Sequence, residues 1–188
     1  MVKDYTVIDL ETTGFAPSSE IIQVGMIKVR DNWVSDTFTE YVRPKCPIPL
    51  NIQDMTGIKM IDVEDAEPIE VILPRILEFM GDDILMGHNI FGFDYPVLMY
   101  HAQKSGVSTE LSLNGNRQGI DTLQITRQLF PDKKHNLGAL IENLGIKLYS
   151  INFHRALDDC RATKALYDYC VNRYSLIMSR FTTRRFNE

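Results

Sequence analysis

Val7-Ile8-Asp9-Leu10-Glu11-Thr12-Thr13-Gly14 is a short apolar run that carries two carboxylates and breaks at a glycine. Read as a strand it alternates faces, so Asp9 and Glu11 point one way while Ile8 and Leu10 point the other. Two like charges side by side on a strand repel each other, and a strand with only a structural task gains nothing from that repulsion. A divalent cation removes it. The run is therefore read as half of a metal site, and the rest of the chain must supply the other ligands.

Working outward, residues 6–10 and 20–29 predict two strands joined through Gly14 and Pro17-Ser18-Ser19, and residues 37–42 predict a third, completing an antiparallel meander. Segment 44–49 holds three prolines and reads as an irregular connection; residues 50–57 read as a short helical turn closed by Gly57. Ile69, Ile72, Ile76, Leu77 and Met80 have helical spacing within 67–80, where Pro74 predicts a kink or a late helix start. Residues 84–86 form a short apolar strand running into Gly87-His88-Asn89. Helices are expected over 93–104, 123–129 (capped by Asp121 or Thr122), 136–144 and about 156–179, with a loop at 106–119 and a short strand closed by Ile120. A meander followed by strand–helix alternation gives an α/β fold. Its mixed central β-sheet has the three-strand antiparallel meander plus two further strands, flanked by helices, with a site at the strand ends. The length suits one domain over 1–188, with a core of about 2–175 and a basic tail at about 176–188.

The net charge of −5 excludes broad electrostatic coating of nucleic acid, but not a grip on a chain end that brings cations with it. Cys46, Cys160 and Cys170 form no CxxC pair. Ten residues of helix separate Cys160 from Cys170 by ~15 Å, beyond the ~7 Å reach of a disulfide. Free thiols point to the cytoplasm. No stretch approaches the ~20 apolar residues of a membrane span, and a cleaved leader would remove Asp9 and Glu11.

Three clusters gather acids: Asp9 with Glu11, His88-Asn89 with Phe93-Asp94, and His154 with Asp158-Asp159. On a helix Ala156, Asp159, Thr163, Leu166 and Cys170 share a mostly apolar face, whereas Asp158 lies with Arg161, Ala165, Asp168 and Asn172. Asp159 therefore points inward and Asp158 is solvated beside Arg161. An inward acid needs a partner. A cation shared with Asp9, Glu11 and Asp94 would serve. Four carboxylates balance two divalent cations, and all-oxygen ligation suits Mg²⁺ or Mn²⁺. Paired cations are a known device for in-line attack at phosphorus, with His154 as the general base. Taken singly, Asp-x-Glu is an ordinary surface feature, His88 a structural histidine and Asp121-Thr122 a helix cap. The conjunction of the three clusters carries the inference.

Asp9-x-Glu11-Thr12-Thr13-Gly14, His88-Asn89…Phe93-Asp94 and His154-x-Ala156-x-x-Asp159 together resemble the three motifs of the DEDDh 3′→5′ exonucleases. That is the DnaQ-like family, which includes the proofreading epsilon subunit of bacterial DNA polymerase III. The resemblance runs from about residue 2 to 170 and includes Ile22-Gln23-Val24-Gly25 and Pro47-Ile48-Pro49…Thr56-Gly57-Ile58. It implies a ribonuclease H-like fold and stepwise release of nucleoside 5′-monophosphates from the 3′ end of single-stranded or frayed nucleic acid. It assigns Asp9, Glu11, Asp94 and Asp159 as metal ligands and His154 as general base. Thr12, Thr13 and Gly14 would meet the terminal nucleotide, Met55 and Thr56 its base, and Leu10, His88, Asn89 and Phe93 would complete the substrate contacts. Three residues separate Asn89 from Phe93, where many family members have two. Proofreading of DNA, trimming of RNA and cleanup of short oligonucleotides all use these five catalytic residues, and a non-catalytic adaptor for DNA ends or a polymerase could keep the same fold. A polymerase subunit is the expected partner for proofreading. Arg173, Arg180, Arg184 and Arg185 read either as a contact for nucleic acid or polymerase, or as a solvated helix end.

Overall fold

A computed structural model describes residues 2–106, 117–149, 151–175 and 183–186. β1 (Tyr5–Thr12), β2 (Ile21–Arg30) and β3 (Trp33–Tyr41) form the antiparallel meander. β4 (Leu85–Gly87) runs parallel to β1, β5 (Gln118–Asp121) parallel to β4, and β6 (Arg184–Arg185) antiparallel to β5. The resulting order is β3-β2-β1-β4-β5-β6. Five strands were expected. The sixth comes from the segment read as a basic tail, where a two-residue strand has too little sequence to show a period.

The β2–β3 turn uses Asp31 and Asn32, both with left-handed backbone (φ 47° and 70°), the hairpin geometry whose twist matches that of the flanking strands. β3 begins at Trp33, four residues before the expected start at 37. Its first residues are exposed on both faces of an edge strand, so alternation carried no burial contrast.

α1 (Leu50–Thr56) ends on left-handed Gly57, and α2 (Met60–Val63) is a single turn that the sequence did not signal. α3 (Ile69–Met80) keeps Pro74 in its interior rather than starting after it. The ring lies on the exposed side, where water can serve the Glu70 carbonyl that proline leaves without an amide donor. α4 (Asp94–Ser105), α5 (Thr122–Leu129), α6 (Leu137–Asn143) and α7 (Ala156–Arg173) follow. α7 stops at Arg173, short of the expected 179, because Tyr174 leaves helical geometry (φ −125°, ψ 32°); most of the 106–119 loop lies outside the described residues. The cap choice falls to Asp121, whose carboxylate accepts the Leu123 amide at 2.9 Å.

The alternation read in β1 separates two layers. Ile8 and Leu10 join Val24 and Met26 against α3 and α4. Tyr5 and Val7 join Ile27 and Val29 against α5, α6 and α7. Asp9 and Glu11 belong to this second face, the side on which α7 lies. Gly25 stands opposite Asp9 in the ladder. A Cβ there would lie 2.3 Å from the Ala156 carbonyl carbon and the Leu157 nitrogen, so the first turn of α7 rests directly on β2. The Gln23 side chain accepts the Ala156 amide at 3.2 Å, and the Cys160 thiol donates to the Gly25 carbonyl at 3.2 Å.

Because backbone rather than a flexible side chain fills that space, Gly25→Ala should destabilise the fold by about 2–3 kcal/mol. Denaturant unfolding would check this; an unchanged midpoint would show that α7 can shift freely.

Candidate active site

β4 is only three residues long, so the edge of β1 runs on past it. There the Leu10 amide meets the Asp94 carboxylate at 3.0 Å. Asp94 occupies the first turn of α4, reached through the turn that follows β4. In that turn Asn89 has a left-handed backbone (φ 79°), its amide donating to Asp121 at 2.9 Å. Ile90 is buried, and Gly92 leaves room for the Asn89 side chain where a Cβ would come within 2.6 Å.

On the opposite side the His154 amide donates to Asp159 at 2.9 Å. His154 itself is exposed and left-handed (φ 64°), a conformation uncommon for a residue with a Cβ. Donor atoms of Glu11, His154 and Asp159 lie within 4.8 Å of one another. The second carboxylate oxygen of Asp159, Oδ1, is buried without a hydrogen-bond partner. A buried, unpartnered carboxylate oxygen beside other acids suits a hard cation, so the donor set fits a divalent metal.

All five predicted catalytic and metal-binding residues, Asp9, Glu11, Asp94, His154 and Asp159, line one cleft of about 430 Å³. The exonuclease family RNase_T matches residues 6–167. The chain belongs to this exonuclease family. It is 32% identical over 187 residues to DNA polymerase III PolC-type of Clostridium perfringens, covering 98% of this chain and 12% of that protein. It is 32% identical over 165 residues to DNA polymerase III subunit epsilon of Aquifex aeolicus, covering 87% of this chain and 78% of that protein. Among solved structures, Exonuclease X in complex with 5′ overhanging duplex DNA superposes with a TM-score of 0.74 at 25% identity, over 97% of both chains. The chain thus spans about an eighth of the PolC-type relative. Its sheet of mixed direction flanked by helices is the ribonuclease H-like arrangement of the family.

The cleft is also lined by Leu10, Thr12, Gly14, Met55, His88, Asn89 and Phe93 from the expected substrate set. Thr13 and Thr56 lie outside the lining. The Thr13 hydroxyl accepts the Glu20 amide at 3.0 Å. The buried Thr56 hydroxyl donates to the Ile52 carbonyl at 2.9 Å and accepts the Ile58 amide at 3.0 Å. His88 has both ring nitrogens engaged, by the Thr122 hydroxyl at 2.9 Å and the His135 carbonyl at 2.7 Å, and burial holds its pKa below the usual histidine value. It braces the cleft wall. Asp158 is more enclosed than expected: it pairs with Arg161 at 2.7 Å but also accepts the Asn152 amide at 3.1 Å.

Phe15, Ile52, Gly92 and Leu137 also line the cleft without having been singled out. Phe15, 71% exposed beside the Gly14 turn, could have been found as an aromatic in a polar loop. Leu137 and Ile52 carry no signal beyond hydrophobicity. Arg155 was missed too. Its guanidinium donates to the Tyr41 hydroxyl at 2.8 Å and is the cation that opposes the upward shift of Glu11.

Crowding sets the electrostatics. Burial, then Asp159 and Asp94, push Glu11 from 4.5 up to about 8. Burial pushes Asp94 to about 7 against the amides that bond it, and Asp159 to about 6 against the His154 amide. Asp9 is raised by burial, then by Asp94, Glu11 and Asp159. The folded protein therefore holds more protons than the unfolded chain from the ordinary values of 3.8 and 4.5 up to about 8, and stability falls as pH rises through that window. Thermal unfolding in EDTA should show this decline, and Mn²⁺ should raise the midpoint far more at pH 8 than at pH 5. Glu11→Gln should stabilise the metal-free protein at pH 8 and weaken the response to Mn²⁺. A response to Mn²⁺ equal at both pH values would contradict the electrostatic account.

Proposed function

We propose that this chain is a metal-dependent 3′→5′ exonuclease that hydrolyses the terminal phosphodiester of DNA and releases nucleoside 5′-monophosphates. The observation that carries the proposal is the convergence of Asp9, Glu11, Asp94, Asp159 and His154 on one cleft, with a buried, unpartnered carboxylate oxygen on Asp159. Asp9, Glu11, Asp94 and Asp159 would hold two divalent cations, Mg²⁺ or Mn²⁺, which supply charge neutralisation and Lewis acidity toward the phosphodiester.

The chain's own residues supply the rest. Asp159 holds the backbone of His154, which leaves the imidazole at the cleft for proton transfer. As general base, His154 takes a proton from the attacking water as its oxygen bonds to phosphorus; the P–O3′ bond breaks, and the departing O3′ takes a proton from solvent, so the shortened strand ends in a 3′ hydroxyl. Leu10, Thr12, Thr13, Gly14, Met55, Thr56, His88, Asn89 and Phe93 are proposed to form the substrate side. Thr13, Thr56 and His88 act there through the backbone they brace, since their polar side-chain atoms are engaged elsewhere.

DNA is favoured over RNA because relatives carry polymerase III names and the Exonuclease X structure holds overhanging duplex DNA. A DNA polymerase chain is the corresponding partner. The cytoplasm is the corresponding compartment, where the free thiols of Cys46, Cys160 and Cys170 stay reduced. Among the described residues no helix is long and apolar enough to cross a membrane.

A 5′-labelled single-stranded oligonucleotide incubated with Mg²⁺ or Mn²⁺ should give a one-nucleotide ladder that EDTA and Asp9→Ala abolish. Absence of a ladder with either metal would reject the enzyme in favour of a binding module. His154→Ala should slow hydrolysis by roughly 10²–10⁴-fold while Mn²⁺ binding, followed by calorimetry, stays nearly intact. Equal loss of both would reassign His154 as a ligand.

A further inference from the structure

The C-terminal strand carries an aromatic side chain into a notch beside the segment that presents Asp94. The ring of Phe186 stacks on Tyr95 with centroids 3.6 Å apart and planes at 13°, and lies 4.8 Å from the ring of Phe91. The floor of the notch is Gly119. A Cβ there would sit 2.7 Å from Phe186 Cζ and 3.0 Å from Phe91 Cζ, so the absence of a side chain makes the slot. The main chain fixes the ring from the other side: the Phe186 amide donates to the Arg117 carbonyl at 3.2 Å, and Arg184 pairs with Gly119. The Arg184 guanidinium lies 5.5 Å from the Phe91 ring centre.

Phe91 and Tyr95 bracket Asp94 in sequence, and the backbone between them is irregular. α4 begins without a side-chain cap, and its preceding residue Phe93 has neither helical nor extended geometry. The limb is held by the Tyr95 amide on the Ile90 carbonyl at 3.1 Å and the Val97 amide on the Phe93 carbonyl at 3.0 Å. Ile90 anchors its inner side in the core. The Phe186 ring holds it a second time, stacked on Tyr95 and tilted at 53° against Phe91. A buried acid beside three others is pushed outward, so the limb that carries it needs anchoring on both sides.

We propose that Phe186 is a positioning residue: by clamping Phe91 and Tyr95 it fixes the limb that presents Asp94, and so sets cation affinity from the far end of the chain. The consequence for cation binding rests on the exonuclease function proposed above; the clamp itself does not.

The test uses the full chain with Phe186→Ala and, acting from the other side of the slot, Gly119→Ala. Hydrogen exchange at the Tyr95 and Val97 amides should accelerate about tenfold or more in both variants, while the β1 and β2 amides stay as in the parent. The Mn²⁺ dissociation constant should rise about tenfold, as for loss of a residue supporting a metal ligand. kcat should fall with KM for the oligonucleotide little changed. Unchanged exchange at Tyr95 and Val97 would overturn the clamp. Faster exchange with unaltered Mn²⁺ affinity would overturn its positioning role. A parent protein that neither binds Mn²⁺ nor cleaves would fault the proposed exonuclease function instead, and the exchange data would then decide the clamp alone.

Discussion

The contact between Gly25 and the first turn of α7 is the constraint on which the site depends. Helix and strand meet backbone to backbone, with no side chain between them. Any residue with a Cβ would push α7 outward and carry Asp159 and His154 away from β1. The contact is also tied by hydrogen bonds from both partners, through Gln23 and Cys160. Closeness of this kind is what lets acids from distant parts of the chain share one cleft.

That closeness is costly. Each acid is raised above its ordinary range by burial first and by neighbouring acids after it, and the partial compensations are local: the Leu10 amide and its own amide for Asp94, the His154 amide for Asp159, and the Arg155 charge near Glu11. None removes the net negative charge. The site is therefore electrostatically unfavourable, and it is held in place by contacts outside the acid cluster. His88 ties the cleft wall to Thr122 and His135, Asp121 ties Asn89 to the start of α5, and Phe186 fills the slot over Gly119. Stability and binding capacity oppose each other here, as expected where like charges are held together for a ligand.

Much of this was legible in the residues. Strand alternation put Asp9 and Glu11 on one face, and helical periodicity chose Asp159 over Asp158, because both signals depend only on neighbours in sequence. The meander and the longer helices after it followed from the same periodicities. Where burial contrast was missing, as in the exposed start of β3, or where an element was too short for a period, as in α2 and β6, the sequence was silent. Of the two effects expected of Pro74, the late helix start did not occur, because whether the carbonyl it strands faces water is decided by packing.

By itself, the sequence determined the chemical inventory: four acids and a histidine in three motifs, enough to indicate a metal-dependent nuclease centre. Only the tertiary structure decided which side chains are free to use it. Hydrogen bonding commits the Thr13 and Thr56 hydroxyls and both nitrogens of His88 to the scaffold, and for His88 the partners lie far along the chain, where local sequence does not record them. Tertiary structure likewise brought Arg155 to Glu11 and Phe186 to the Asp94 limb. Periodicity reports which face a residue takes; only the folded chain reports what stands opposite.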